Sequence, residues 1–406
     1  MASQRSAWGS ISPLLIFSSS CLLVGDMLFG FDTGSFGGIL ANPGFINQFG
    51  SYHAETDKYA FTSSDTSIIS SIPFIGKFLG CLFAGPAIEK LGHRIVFILL
   101  SIISFIGVIL EITAADTGYG TGRFAQFLVG RVVVYISVGL VEVAVTTYQA
   151  EVVPAPFRGL VVISLQLFLA AGSLIASGLN KAYSTSTDGV GWKTVTGIQL
   201  IFPASFVFFI PHSPRWLLSK DREEEAVACL QRLRSKADLD EGRCDEEIRL
   251  IKETLRDQVH KGPWVDLFQG TNLRRTALVF AFYFFQQMGS ASIPYLLGSE
   301  IPNSAVREKT QSLGAAWNVL WAFVTNYSIP YLIANLHFGV GWVFGGISVL
   351  ALIFTFVFLP ETKGRALEEI DALFATSFNP FRPQNIQLSD AERRIGELEG
   401  GKDFED

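Results

Sequence analysis

Five ionisable side chains lie inside long apolar runs in the first half of this sequence: Asp26, Asp32, Lys77, Arg131 and Glu142. Each charge inside a bilayer costs about 2.5–3.5 kcal/mol, so acids and bases in such runs are expected to pair. A carboxylate beside a guanidinium can take up a proton and loosen its hold on the cation, because the cation favours the charged acid while burial opposes it. For Asp32 and Arg131 the two interpretations are proton coupling and a structural ion pair. For the other three residues the structural interpretation is preferred.

The runs that hold these residues indicate a membrane protein. Hydrophobic residues make up 49% of the sequence and charged residues 17%, whereas soluble domains carry about 25% charged residues. Runs of about 20 apolar residues are long enough to cross a bilayer as helices. The predicted spans are 13–39, 67–86, 95–113, 124–150, 160–180, 193–211, 276–299, 313–336 and 340–360.

A polar segment divides these spans into two blocks. The sequence predicts a six-helix bundle over 1–211, a cytoplasmic helical linker over 212–275, a second membrane block over 276–362 and a cytoplasmic tail over 363–406. Lys and Arg are concentrated in the linker and in the loops after spans two and four. Basic loops stay in the cytoplasm, so the N-terminus and the linker are predicted to lie on that side.

An internal repeat relates the two blocks. Glu151 and Glu300 are each followed by an arginine at the same spacing. The interval from Glu151 to Pro211 also equals the interval from Glu300 to Pro360, and each of these prolines closes its block. Two matches in the same register predict a duplicated membrane unit, and paired helical units around a midplane site are a common transporter architecture.

The repeat also measures a gap in the second block. The first block begins at Pro13, far before Glu151, whereas the second begins at Thr276, only a short distance before Glu300. The shortfall is about 114 residues, roughly three spans of chain, so the second block is predicted to be truncated. Basic residues flank the 276–299 run at both ends, which leaves two alternatives open: a spanning helix or a re-entrant hairpin.

Several motifs resemble those of the sugar-porter family of the major facilitator superfamily, and especially fungal sugar permeases. They occur in the family's order, at Gly85–Arg94, Gly130-Arg131, Tyr148–Gly159, Pro211–Leu217 and Pro360–Arg365. The resemblance implies the fold of that superfamily, with a complete N-terminal six-helix bundle and a C-terminal bundle that has lost the eighth and ninth spans and parts of the seventh and tenth.

The motifs depart from the family pattern at a few positions. Glu89, Lys90 and His93 replace the usual Asp, Arg and Arg of the loop after span two. Thr146 stands where the fourth-span signature has Pro, and His212 replaces the Glu of the Pro-Glu-Ser-Pro-Arg motif.

The resemblance implies a sugar site made of amide and aromatic side chains, which suit a polyol because they meet both its donors and its acceptors. The residues that match the family's sugar contacts are Gln166, Gln286, Gln287 and Asn318, with Tyr295 where the family usually has Trp. Each amide has an alternative interpretation as a bridge between helices. Asp32 and Arg131 match the family's proton-coupling pair, which also occurs in facilitators.

A second set of charged residues is predicted to form a cytoplasmic salt-bridge gate, whose making and breaking biases which face of the carrier is open. Its members are Glu89, Arg94, Glu151 and Arg158 in the first block, and Glu300 and Arg307 in the second. Exposed pairs contribute less than about 1 kcal/mol each, so only a network could act as a latch.

The prediction is therefore an all-α polytopic protein of the plasma membrane that transports a mono- or disaccharide, with protons as a further partner if Asp32 couples. The truncated form is predicted to transport weakly or not at all. The alternative is a non-transporting membrane protein, such as a degenerate paralogue, a splice or gene-model product, or a sugar-sensor-like partner. No nucleophile elbow, phosphate loop, metal-ligand set or basic domain occurs in the sequence. An enzyme, a cofactor, a metal site and nucleic-acid binding are not expected.

Overall fold

The computed structural model describes residues 12–53, 57–117, 121–153, 155–207, 210–235, 239, 242, 244, 245, 247–249, 251, 252, 264–288, 301, 302 and 306–358. Within these residues five segments are long and apolar enough to cross a membrane. They are Pro13–Leu40, Ser63–Leu91, His93–Asp116, Gly122–Gln149 and Lys309–Phe358.

The first block consists of helices joined by short turns. They are α1 (Pro13–Leu40), α2 (Pro43–Phe49), α3 (Ser63–Ser71), α4 (Pro73–Leu91), α5 (His93–Thr117), α6 (Thr121–Val152), α7 (Ala155–Ala182), α8 (Val190–Ile198) and α9 (Ile201–Val207). Strands β1 (Ser51–His53) and β2 (Lys58–Ala60) form an antiparallel hairpin between α2 and α3. The sequence did not predict this hairpin.

Local sequence signals fix several helix ends. Ser12 caps α1 by accepting a hydrogen bond from the Leu15 backbone nitrogen at 3.1 Å. Thr62 and Asp65 form a reciprocal capping box at the start of α3, a pattern that satisfies two otherwise unpaired backbone donors. The predicted sixth span is divided into α8 and α9, because the chain turns at Gln199 and Leu200.

Close backbone contacts hold the first block together. A Cβ on Gly30 of α1 would overlap the Leu169 carbonyl of α7, and a Cβ on Gly76 of α4 would overlap the Val132 carbonyl of α6. Glycine is therefore required for these approaches, and small residues at helix contacts are the usual basis of packing in membranes.

The linker forms a small helical unit with its own apolar cluster. It contains α10 (Pro214–Ser219) and α11 (Glu223–Leu233), whose Leu217 and Leu230 pack with Cys244 and Ile248. Arg234 fastens this unit to the first block, because its guanidinium donates to the Val152 carbonyl at 3.0 Å and to the Glu247 carboxylate at 2.6 and 2.9 Å.

The second block contains three long helices among the described residues: α12 (Gly270–Gln287), α13 (Arg307–Leu336) and α14 (Val340–Phe358). Helix α13 packs against α3 and α4 of the first block, as well as against α12. In α14 only Ala351 is buried, and Trp342 is 87% exposed. Each predicted span overlaps at least one described helix, but the bounds differ: α12 begins before the predicted span 276–299, and the second predicted span, 67–86, is divided between α3 and α4. The number of times the chain crosses the membrane stays a prediction. The span-or-hairpin question at 276–299 also stays open, because residues 289–300 lie outside the described part.

Candidate functional site

The predicted pair of Asp32 and Arg131 is formed in the interior of the first block. Arg131 Nη1 on α6 donates to Asp32 Oδ1 on α1 at 2.5 Å, and both side chains are almost fully buried. Since a charge-assisted bond of this kind is strong in a low dielectric, the pair joins α1 to α6 at one fixed point.

Residues that the sequence did not single out complete this site. Gln199, at the turn between α8 and α9, donates to Asp32 Oδ1 at 3.0 Å. Arg131 Nη2 donates to the Tyr135 hydroxyl at 3.3 Å, and the guanidinium carbon lies 4.0 Å from the centre of the Phe36 ring. The arginine is thus held from three directions. Gln199 could have been noticed as a lone amide in an apolar span, but Tyr135 and Phe36 carry no such signal.

Glu111 on α5 is a further acid of this site. It lies against Gly130 and within electrostatic reach of Arg131 and Asp32, and it is only 1% exposed. Arg131 is thus bonded to Asp32 and also interacts electrostatically with Glu111. The sequence signal for Glu111 was a single acid within an apolar run.

Lys77 and Glu142 form a second buried ion pair, one that the sequence placed only in a general set of intramembrane charges. Lys77 Nζ on α4 lies 2.9 Å from Glu142 Oε2 on α6 and 4.0 Å from the centre of the Phe29 ring on α1. Asp26, about one turn before Phe29, interacts electrostatically with both charges. The cluster lies where the first block meets Tyr283 of α12, whose hydroxyl is within electrostatic reach of Glu142.

Three of the predicted sugar contacts come together in the second block. Gln287 Nε2 donates to Asn318 Oδ1 at 2.8 Å, and Asn318 Nδ2 donates to Gln286 Oε1 at 3.2 Å. Asn318 also donates to the Tyr283 backbone carbonyl at 3.1 Å. Asn318 is fully buried and the two glutamines are half-buried. The arrangement fits both earlier interpretations, because the amides bridge α12 and α13 and the glutamines keep partial access.

The remaining predicted sugar contacts are not part of this amide cluster. Gln166 lies on α7 of the first block and is half-buried. Among the described residues it shares no hydrogen bond with Gln286, Gln287 or Asn318. Tyr295 lies outside the described residues.

The end of the first block that is predicted to face the cytoplasm forms a set of contacts whose members differ from those of the predicted gate. Glu151 accepts a short hydrogen bond from the Ser213 hydroxyl, and its Oε2 lies 3.9 Å from His93 Nδ1. The indole of Trp216 donates to the Glu89 backbone carbonyl at 3.2 Å.

His212 of the same end stacks on Trp216, with ring centres 5.7 Å apart. Burial, followed by the positive charges of Arg94 and Arg222, lowers the pKa of the His212 imidazole. Arg94 itself is exposed. His93, His212 and Ser213 therefore lie in contact with or close to the predicted gate residues Glu151 and Arg94, although the sequence did not include them in the predicted gate.

The side chains of the other predicted gate residues lie outside the described part of the structure. Arg158 and Arg307 belong to α7 and α13, but their side chains lie outside the described set, and Glu300 lies outside it altogether. The structure therefore describes contacts of the predicted gate residues only in the first block, and the gate stays a prediction.

The site as a whole combines buried ion pairs in one helical block with clustered amides in the other. Ion pairs of this kind can exchange protons, and amides of this kind can bind hydroxyl groups. Among the described residues of this site, no nucleophile lies beside a base. Hydrolytic chemistry would need such an arrangement.

Solved structures with the same fold are membrane carriers. The chain is similar to the proton:xylose symporter XylE bound to 6-bromo-6-deoxy-D-glucose, with a TM-score of 0.68 and 20% identity over 89% of this chain and 99% of that one. It is also similar to the inward-open xylose transporter XylE from E. coli, with a TM-score of 0.62 and 22% identity over 87% and 98% of the two chains. The fold is that of the major facilitator superfamily.

Curated relatives include yeast glucose carriers. The chain is 23% identical to the high-affinity glucose transporter ght2 of Schizosaccharomyces pombe, over 95% of this chain and 91% of the relative. It is also 23% identical to the low-affinity glucose transporter HXT1 of Saccharomyces cerevisiae, over 90% and 83% of the two chains.

A family model described as "Sugar (and other) transporter" matches residues 19–288 and 275–374. The two matched stretches cover most of the sequence and include both of its membrane blocks. This chain therefore belongs to the sugar transporter family of the major facilitator superfamily, and it is a multi-pass membrane protein and not an enzyme.

Proposed function

We propose that this chain carries a sugar across a membrane by alternating access, with Gln286, Gln287 and Asn318 as sugar contacts. The observation that carries the proposal is the hydrogen-bonded amide cluster between α12 and α13. An amide donates and accepts hydrogen bonds, as a sugar hydroxyl does, so a sugar can replace the bonds that the amides now make with one another. Gln166 and Tyr295 are proposed as further contacts.

A hexose is the substrate class that we favour. The curated relatives that align along most of this chain are described as glucose transporters. The plasma membrane is the proposed location, since a carrier with this substrate would serve uptake there.

Proton coupling through Asp32 and Arg131 is the second part of the proposal. The pair is buried, and Gln199 donates a hydrogen bond to the same carboxylate oxygen. Protonation of Asp32 would release Arg131 and loosen the joint between α1 and α6. The neighbouring Glu111 could then pair with the freed guanidinium, which lowers the cost of the change.

The third part concerns the rate. We propose that transport by this form is slow, because the second block lacks the internal helices that would face Gln286 and Gln287. The alignment with the S. pombe relative runs over 497 positions, whereas 95% of this chain is about 386 residues, so about 111 positions have no counterpart here. The family match also falls into two pieces that meet at 275–288. Both observations support the gap that the internal repeat predicted.

The cytoplasmic gate is the last part. We propose that Glu89, Arg94, Glu151 and Arg158 in the first block oppose Glu300 and Arg307 in the second. The bond between Glu151 and Ser213 supports a role for Glu151, because it ties α6 to the start of the linker.

Uptake of labelled glucose in a yeast strain without hexose carriers tests the proposal, with surface protein quantified in parallel. We expect slow, saturable uptake above the empty-vector level. Asn318→Ala removes two amide contacts and should reduce it by about tenfold, since each lost hydrogen bond is worth about 0.5–1.5 kcal/mol. Asn335→Ala is the matched control, because Asn335 is exposed on the same helix.

The outcomes separate the two functional classes. Equal uptake by Asn318→Ala and the unaltered chain would contradict the assigned sugar site. An absence of uptake at normal surface levels would favour the non-transporting alternative, in which the amides only bridge helices.

A further inference from the structure

The intramembrane charges form two groups at different depths of the first block. Asp26 and Asp32 are six residues apart on α1, about 9 Å along the helix, and Arg131 and Glu142 are eleven apart on α6, about 16 Å. Asp32 and Arg131 form one group. Asp26, Lys77 and Glu142 form the other, which we call the midplane cluster.

Two of the three members of the midplane cluster lie at the centres of their helical segments, whereas Glu142 lies nearer to one end of α6. Asp26 stands at the middle of α1, and Lys77 stands at the middle of the apolar segment Ser63–Leu91. These positions are the farthest from water in a spanning helix, where unbalanced charge is most costly. A cluster at this depth must balance its charge from its own members.

The members do not balance when all three are ionised. Lys77 is bound directly to Glu142 at 2.9 Å, and its ammonium also lies over the Phe29 ring. Asp26 then adds a second negative charge beside a cation that already has a partner. Among the described residues, the structure also places two further polar groups at the cluster, Cys81 of α4, with Sγ 3.9 Å from Glu142 Oε2, and Tyr283 of α12. Both are uncharged at neutral pH, so neither supplies the missing positive charge.

Access is the second requirement for a site. Asp26 is half-buried, whereas Asp32 is fully buried. Tyr283 belongs to the second block, so the cluster lies against the interface that must open in alternating access. A proton can therefore reach this carboxylate when the blocks separate.

We propose that the midplane cluster is a second proton-binding site, with Asp26 as the group that takes the proton and Lys77 and Glu142 as its fixed ion pair. Binding converts the Asp26 carboxylate to the neutral acid and brings the cluster from a net charge of −1 to zero. The site is separate from the Asp32–Arg131 pair. Its access to water when the blocks separate rests on the proposed alternating access, but its test does not require transport of a sugar.

Infrared pH-difference spectra of the purified full chain in lipid nanodiscs test this site, because the carbonyl stretch of a protonated carboxylic acid is separate from carboxylate bands. We expect a protonated-acid band that is lost in Asp26→Asn and kept in Asp32→Asn. Asp116→Asn is a matched control, because Asp116 is an exposed acid paired with Lys193 at the end of α5.

A second variant keeps the test decisive if Asp26→Asn does not fold. Glu142→Gln frees Lys77 to pair with Asp26, which then stays ionised, so the band should again be lost. A band of unchanged size in both variants would overturn the proposal. Because the spectra need no transport, this failure is distinguishable from a failure of the sugar proposal.

Discussion

The two membrane blocks of this protein are stabilised in different ways. The first contains buried ion pairs at Asp32–Arg131 and Lys77–Glu142, and its helices approach so closely that glycine is required at Gly30 and Gly76. In the second, neutral amides join α12 to α13, and only Ala351 of α14 is buried. The difference indicates that the first block specifies its own packing, whereas α13 packs against α3 and α4 of the first block as well as against α12.

The comparison also separates two kinds of polar group. Charges in the first block connect α1, α4 and α6 and fix how these helices meet. Amides in the second block are neutral, and they bond to neighbours on α12 and α13. A neutral site suits an uncharged ligand, while a charged site suits a proton.

The largest expected effect comes from breaking one half of an ion pair in the first block. Arg131→Ala leaves Asp32 buried without its cation, so the free energy of unfolding should fall by about 3–5 kcal/mol. Thermal unfolding in detergent measures this. The double variant Asp32→Asn with Arg131→Met should be less damaging than Arg131→Ala alone, and a double variant that is worse would refute the ion-pair explanation.

Next in size is the glycine contact between α1 and α7. Gly30→Ala places a methyl group against the Leu169 carbonyl, and backbone atoms cannot move aside, so the loss should be about 3 kcal/mol. The second block offers a matched control in Gly345→Ala, since a Cβ at Gly345 meets nothing within 4 Å. If the two variants unfold at the same temperature, the close helix contact at Gly30 does not stabilise the first block as we infer.

A smaller effect is expected where the linker joins the first block. Arg234→Ala removes the bonds to Glu247 and to the Val152 carbonyl and should cost about 1–2 kcal/mol. Hydrogen exchange should become faster in α11. Arg222→Ala is the control, because its pair with Glu225 is exposed and lies within the linker. If the two variants show the same rate of hydrogen exchange in α11, the bonds of Arg234 do not hold the linker against the first block.

The smallest expected effect is a pH dependence at His212. Its folded pKa is lowered by burial and by Arg94 and Arg222, while the unfolded value is about 6.5. The unfolded chain therefore binds this proton more readily, and the folded state loses stability as pH falls below about 6.5. The unfolding temperature should fall more steeply with acid in the unaltered chain than in His212→Gln. If the unfolding temperature depends on pH in the same way in both proteins, His212 does not contribute to the pH dependence of stability.

Much of this architecture was predictable from the sequence. Long apolar runs predicted the helices, because a membrane leaves few alternatives for the backbone. The cost of isolated charges required that acids and bases pair, and the resemblance to the family selected Asp32 and Arg131 as one pair. The family motifs also selected Gln286, Gln287 and Asn318, which the structure brings together.

Other features required three-dimensional information. The partner of Lys77 could not be chosen from sequence, because several acids stood in apolar runs and only packing decides which lies opposite. Gln199 and Glu111 were overlooked because each is a single polar residue whose role depends on the distance to Arg131. The sequence also did not predict the break between α8 and α9, where Gln199 donates to Asp32.

Glucose uptake by an extended chain tests the central claim, that this is a sugar carrier limited by its short second block. The extended chain would carry, between Gly289 and Ile293, the S. pombe relative's residues that correspond to the predicted gap in the second block, where the two pieces of the family match meet. At equal surface levels, we expect the extended chain to transport glucose at least about ten times faster than the 406-residue chain. This ratio corresponds to a free-energy barrier to transport that is lower by about 1.4 kcal/mol. Uptake by the 406-residue chain that already equals that of the extended chain would contradict it.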